Sequence, residues 1–143
     1  MELQFQKNIC KYLNCVVREV QNTELTQEIR LSDGMPDIGR VLASWGQVVL
    51  RSKEWRGDTV TVTGGLMVWV LYAPEDGTAP RSVDSWIPFQ LKWNLPLVDR
   101  EGPVRILPIL RFVDSRGLSA RKMMVRAGGG AMGEILLEFP NSL

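Results

Sequence analysis

The sequence contains no histidine. That removes the commonest general base, the usual physiological-pH switch and the commonest metal ligand together. Serine–histidine and cysteine–histidine mechanisms within this chain are excluded with it. Cysteine is scarce: Cys10 and Cys15 are the only two. Their C-x4-C spacing is not a usual zinc half-site, and no other Cys or His is present to complete one. A disulfide between them would close a very short loop, so two reduced cysteines packed as small apolar groups are expected. No apolar run approaches the about 18 residues of a membrane span. The opening residues, MELQFQKNIC, lack the apolar core of a signal peptide. Synthesis in the cytoplasm is therefore expected. Charge of one sign is missing too, since 17 basic against 16 acidic residues leave a net +1. Nucleic-acid binding usually needs a strongly basic balance or face. The basic residues Arg116, Arg121, Lys122 and Arg126 do gather locally, but on a strand Arg121 points away from Lys122 and Arg126, so one continuous basic face is not expected.

What is present suits one domain. A chain of 143 residues with 45% hydrophobic and 23% charged residues is long enough to bury a core without a metal or disulfide. Short segments of period-two alternation separated by turn signals predict an all-β single domain, a β-sandwich or partly open β-barrel of mostly antiparallel strands. No internal repeat is evident.

Residues 1–21 are ambiguous between helix and strand. Ile9, Leu13, Val16, Val17 and Val20 fit a helical face, whereas strands over 15–20 and 26–31 around an Asn22-Thr23 turn are preferred. Ser32-Asp33-Gly34-Met35-Pro36-Asp37 is a turn cluster. Pro36 lacks an amide donor and drives Met35 to extended conformations. Asp37 is placed to cap a short helical turn over 38–42, which makes Pro36 and Asp37 a structural corner. Residues 47–55 and 58–62 read as a hairpin across Arg56-Gly57. Gly64-Gly65 signals a bulge or close backbone approach rather than a phosphate loop, because no helix start or Lys follows. Leu66 to Tyr72 is apolar on both faces, as in a central sandwich strand or a subunit interface. A loop over 73–80 leads to a strand over 82–93. Val83, Ile87, Phe89, Leu91 and Trp93 share one face of that strand, and Trp86 stands on the otherwise polar other face with Asp84, Gln90 and Lys92. Strands over 104–113 and 118–127 are expected to turn at Asp114-Ser115-Arg116-Gly117, with Pro108 placing the first at an edge. Gly128-Gly129-Gly130 should break the pattern before a last short strand over 134–139. The organisation expected is thus an arm or first strands over 1–24, a β domain over 25–127, and a tail or final short strand over 128–143.

The run PDIGRVLASWGQVVLRSKEWRGDTVTVTGGLMVWVLYAPEDG, then IPFQLKWNLP and SARKMMVRAG, resembles the SPOCS domain of spore-forming Firmicutes. Pro36, Asp37, Ile38, Val41, Leu42, Gly65, Leu71, Tyr72, Pro88 and Phe89 carry the likeness, which covers residues 25–127. The resemblance implies a β-rich module of spore-coat and spore-envelope proteins, made in the mother cell and then built into the envelope. Such modules can precede a peptidoglycan-binding LysM segment, and some dock onto the morphogenetic ATPase beneath the coat. This chain departs in having no LysM segment, so glycan binding is not carried over, and the family supplies no catalytic residue.

Three function classes follow. A non-catalytic interaction module would work through surplus apolar strand surface, with Met67, Trp69, Leu71 and Trp86 as contact residues for a second copy or a coat morphogenetic protein. A carbohydrate-binding module would use some of Trp45, Trp55, Trp69, Trp86 and Trp93 as stacking platforms; two or more coplanar exposed rings beside Asp, Asn or Arg favour it, and a ring sealed by apolar neighbours opposes it. An enzyme would need paired carboxylates, for which Asp33 with Asp37 and Glu75 with Asp76 are the candidates, both in turns where solvated acids are expected anyway. The interaction module is the expected function, with no catalytic residue, cofactor, metal or nucleic acid called for.

Overall fold

The computed structural model describes residues 15–96 and 102–137. It contains six long strands: β1 (Cys15–Arg30), β2 (Ile38–Arg56), β3 (Thr59–Pro74), β4 (Arg81–Asn94), β5 (Val104–Ser119) and β6 (Lys122–Leu137). They form two antiparallel three-stranded sheets, β2-β3-β4 (the first sheet) and β1-β6-β5 (the second). The all-β expectation holds, and the arrangement is a sandwich rather than a closed barrel.

Alternation explains why each sheet has two different faces. On β3, Val60, Val62, Leu66, Val68, Val70 and Tyr72 point between the sheets and are buried. On β6, Met123, Val125, Ala127, Ala131, Ile135 and Leu137 do the same. Ile87, Phe89, Leu91 and Trp93 of β4 complete that core, as their spacing predicts. Each fully buried aliphatic side chain contributes about 1.5–3 kcal/mol over its exposed state. The two sheets are built alike. Each is a long hairpin (β2–β3 and β5–β6) plus a third strand on the far side of its second member, and burial alternates in step along β3 and β6. The sequence shows no such repeat, because the third strand follows the hairpin in one sheet and precedes it in the other.

The two long sides of the sandwich are tied by side chains. On one, the Trp93 indole Nε1 donates to Glu19 O at 2.8 Å and Gln27 Nε2 to Ser85 Oγ at 2.7 Å, joining β4 to β1. On the other, Ser44 Oγ donates to Val113 O and Lys53 Nζ to Val104 O, joining β2 to β5.

Several local expectations yield to tertiary structure. Asn22 and Thr23 do not turn: they pair with Gly130 and Gly129 inside a single 16-residue strand. Gly128-Gly129-Gly130 does not end a strand but lies in the middle of β6. Residues 38–42 are extended, not helical, since they pair with β3 from Ile38 onward. The β5–β6 turn falls at Ala120-Arg121 rather than at 114–117. Asp114 pairs across the ladder with Arg126, and Ala120 O and Arg121 O accept from Ile38 N and Leu31 N. The β2–β3 turn sits one residue later than expected, at Gly57-Asp58, with Gly57 at φ 57° as such a turn demands. Of the expected arm or first strands over 1–24, residues 15–24 belong to β1, and residues 1–14, Cys10 among them, lie outside the described residues.

Glycines mark where strands crowd. A Cβ on Gly65 would meet Ile87 O at 2.6 Å and the Trp86 ring at 2.7 Å, and one on Gly128 would meet the Phe112 ring. In each sheet an aromatic side chain thus lies over a glycine of the central strand, and nearby β2 and β5 each carry a bulge, at Leu50/Ser52 and Leu110/Phe112. Gly65→Ala should cost about 1–3 kcal/mol by forcing Trp86 and the β4 backbone apart. Gly34→Ala, with nothing within 4 Å of its added methyl, should stay within about 0.5 kcal/mol. Urea denaturation of the two variants checks the contrast.

Candidate functional site: an aromatic outer face and a clamped corner

The outer face of the first sheet is built from the residues that alternation turns away from the core. β3 supplies Met67, Trp69 and Leu71, all half-buried. Across the ladder, β2 sets Gln47 opposite Met67 and Trp45 opposite Trp69, while β4 sets Trp86 opposite Met67 and Asp84 opposite Trp69. All four predicted contact residues, Met67, Trp69, Leu71 and Trp86, therefore lie on one face. Trp45 joins them and is 46% exposed. Its ring lies near-parallel to Trp69, with centroids 6.3 Å apart and planes 13° apart, an offset stack that places two indoles side by side toward solvent. The Arg51 guanidinium sits 4.2 Å above the Trp86 ring, and the glycine at 65 lets that ring lie flat on the sheet. The other tryptophans differ. Trp93 is fully buried, and half-buried Trp55 donates to Gly57 O at the hairpin tip. Trp45 is among the candidate stacking residues of the sequence, but its pairing with Trp69, and the place of Arg51 over Trp86, follow only from the β2 register across its bulges, which no local signal gives.

The predicted structural corner is clamped. Pro36 O accepts the Tyr72 hydroxyl at 2.8 Å. Arg121 Nη1 donates to Met35 O at 2.6 Å and to an Asp37 carboxylate oxygen at 3.0 Å, and its Nη2 donates to Ser32 O at 2.8 Å. One guanidinium thus satisfies two backbone carbonyls and a carboxylate of the β1–β2 connection from the β5–β6 turn. Asp37 caps no helix. Its backbone O accepts from Glu75 N, and its carboxylate serves the clamp. Burial pushes the Tyr72 phenol above its usual range, opposed in part by nearby Arg81 and Arg121.

The candidate acid pairs are separated by role. Asp37, Glu75 and Asp76 line one shallow open depression with Pro36, whereas Asp33 does not contribute to it. The Asp76 carboxyl is held below its usual range by the hydroxyl and amide of Thr78. That hydrogen-bonded loop is a turn stabiliser in geometry. No group of three or more Cys, Asp or Glu side chains among the described residues is placed to hold a metal ion. Among the described residues no helix is long and apolar enough to cross a membrane.

No protein-family model, no curated protein and no solved structure matches this chain.

The clamp predicts that Arg121→Ala lowers stability by about 1–2 kcal/mol, the charged hydrogen bonds being discounted for their partial exposure. Chemical denaturation checks this, and an unchanged midpoint would show the clamp to be decorative. Alkaline pH gives a second test. The Tyr72 phenol is raised in the fold, so the unfolded chain ionises first. Stability should hold below the ordinary phenol range near 10 and decline as pH rises through and beyond it. A thermal melt series above pH 9 should show a shallower decline for Tyr72→Phe, although that variant starts about 1 kcal/mol lower for its lost hydrogen bond.

Proposed function

We propose that this chain is a non-catalytic structural and protein-interaction module of the spore coat or envelope. It acts by self-association, or by docking to a coat morphogenetic protein, through the outer face of the first sheet. The observation that carries the reading is the stacked Trp45–Trp69 pair standing open on a sheet face with Met67, Leu71 and Trp86 beside it. Aromatic and methionine side chains clustered at the centre of an exposed face are the composition of an interface core, where a few anchors supply most of the binding energy. The rigid sheet beneath them lowers the entropy lost on binding. The spore setting rests on the SPOCS resemblance over residues 25–127 and places the chain first in the mother-cell cytoplasm and then in the coat.

One observation favours a second reading, a carbohydrate-binding module for cell-wall glycan. Trp45 and Trp69 are near-parallel, and Asp84 lies opposite Trp69 in the ladder, so an apolar ring face and a hydrogen-bonding carboxylate adjoin. Against it, the rings stack on one another rather than standing apart as separate platforms.

Light scattering on a sizing column across a concentration series tests the first reading. The wild-type chain should form a discrete oligomer or a growing assembly, and Trp69→Ser should remain monomeric at the same concentrations. The variant's melting temperature should fall by only about 2–8 °C, because Trp69 lies outside the intersheet core. A wild-type monomer at every concentration, or equal mass for both proteins, contradicts self-association. Retention of the wild-type protein on insoluble peptidoglycan, lost in Trp45→Ala, would support the glycan reading instead.

A further inference from the structure

The two sheets differ in the relief of their outer faces. The outward positions of β3 carry Met67, Trp69 and Leu71, with Trp45 of β2 beside Trp69, so the first sheet is raised along its middle. The outward positions of β6 include Gly128 and Gly130, two in succession without a side chain. The Phe112 ring lies over the first of them, since a Cβ on Gly128 would meet it. Gly130 remains as a low floor between Asn22 of β1 and Ile109 of β5, its neighbours across the two ladders. The second sheet is therefore lowered where the first is raised.

The surroundings of that floor are apolar. One row along, Val20, Met132 and Leu107 stand abreast on the same outward face. Val20 is 47% exposed, Met132, Leu107 and Ile109 are half-buried, and none of the four belongs to the intersheet core. An apolar sheet face open to solvent marks an interaction surface. The free charges of the two faces are opposite in sign. Beside the stacked indoles Arg51 is engaged over the Trp86 ring, and Arg40 lies two rows beyond, opposite Ala73. Asp84, next to Trp69, is exposed and has no ion-pair partner among the described residues. Around the glycine floor Glu24 is engaged by Arg126 and Glu134 by Arg18. That leaves Arg105, one row past Leu107, exposed and without an ion-pair partner among the described residues.

We infer that the outer face of the second sheet is the seat for the outer face of the first sheet of another copy, so that subunits stack head to tail. The inference rests on the reading that the first sheet's outer face self-associates, and it names the surface that receives it. Three properties select a second copy as the occupant. The raised Trp45–Trp69 pair suits the low floor at Gly130, the apolar side chains around that floor cover the indoles, and the free Asp84 carboxylate finds a free cation in Arg105. Size also fits. Three strands about 4.8 Å apart, with 16 residues in the central one at about 3.4 Å each, give a full face of roughly 780 Å², close to the about 800 Å² that each partner of a specific interface buries. A contact between two different faces of one molecule is not closed by a two-fold axis. Each added copy presents a fresh face, and growth stops only where a ring closes.

The test is complementation between two variants, read as mass by light scattering on a sizing column. Trp69→Ser disables the raised face, and Val20→Glu places a charge in the receiving face. Both side chains lie outside the intersheet core, and melting curves confirm that each variant folds. The wild-type chain should grow past a dimer as concentration rises. Each variant alone should stay at monomer mass. Their equimolar mixture should give a heterodimer of twice that mass, because Val20→Glu keeps an intact first face and Trp69→Ser an intact receiving face. Leu107→Ser in place of Val20→Glu should behave in the same way. Wild-type assembly that stops at a dimer, assembly of Val20→Glu or Leu107→Ser like the wild type, or a mixture that stays monomeric would each overturn the inference while leaving the first face as an interface. A wild-type monomer at every concentration, or assembly of Trp69→Ser like the wild type, would remove the reading of the first face and this inference with it.

Discussion

A period of two governs this molecule. β3 and β6 are central strands, and each residue on them points either between the sheets or outward, with no third choice. A slip of one position on β3 would push Thr59, Thr61 and Thr63 into the core and leave Val60, Val62 and Val68 in water. The ladders on both sides of β3 therefore fix two surfaces at once, the packed interior and the aromatic exterior. Trp69 faces outward because Val68 and Val70 must face inward. The outer face is a consequence of the core register.

The second constraint is how the chain closes on itself. β1 must find the far side of β6, which follows it in the chain only after β2 to β5, before the second sheet is complete. Such non-local pairing costs loop-closure entropy before any contact compensates it. The Arg121 clamp fixes the β1–β2 connection to the β5–β6 turn at one end, and Trp93 with Gln27 fixes β4 to β1 along one side. The glycines of β6 belong to the same economy of space, since a Cβ on Gly130 would collide with the Gln21 backbone of β1. Small residues on β6 are what allow β1 to lie close.

Alternation made the fold class and the faces of β4 legible in the sequence, and residues 66–72 could be read as apolar on both faces, of which the structure buries one, with Leu66, Val68, Val70 and Tyr72, and leaves the other half-buried. It also placed Met67, Trp69, Leu71 and Trp86 as contact candidates, and Pro36 with Asp37 as a corner. Turns were less legible. Asp114 to Gly117 has turn chemistry, yet Asp114 serves a cross-strand pair with Arg126 and the chain reverses at Ala120, where two backbone hydrogen bonds from a distant segment await it. Gly128 to Gly130 looked like a break because glycine is usually poor in strands, but here its missing side chain is what the neighbouring strand and the Phe112 ring require. The clamp made by Arg121 and the pairing of Trp45 with Trp69 were hidden for a related reason. Each owes its role to residues far away in sequence.

The claim that most needs a direct measurement is that the outer face of the first sheet is an interface. Hydroxyl-radical footprinting, read residue by residue by mass spectrometry in dilute and concentrated solution, addresses it. The account predicts that Trp45, Met67 and Trp69 oxidise readily when dilute and become protected together as concentration rises, while exposed Leu118 on the β2–β5 side does not change. Equal oxidation of all three at every concentration would contradict it and return those side chains to ordinary surface packing.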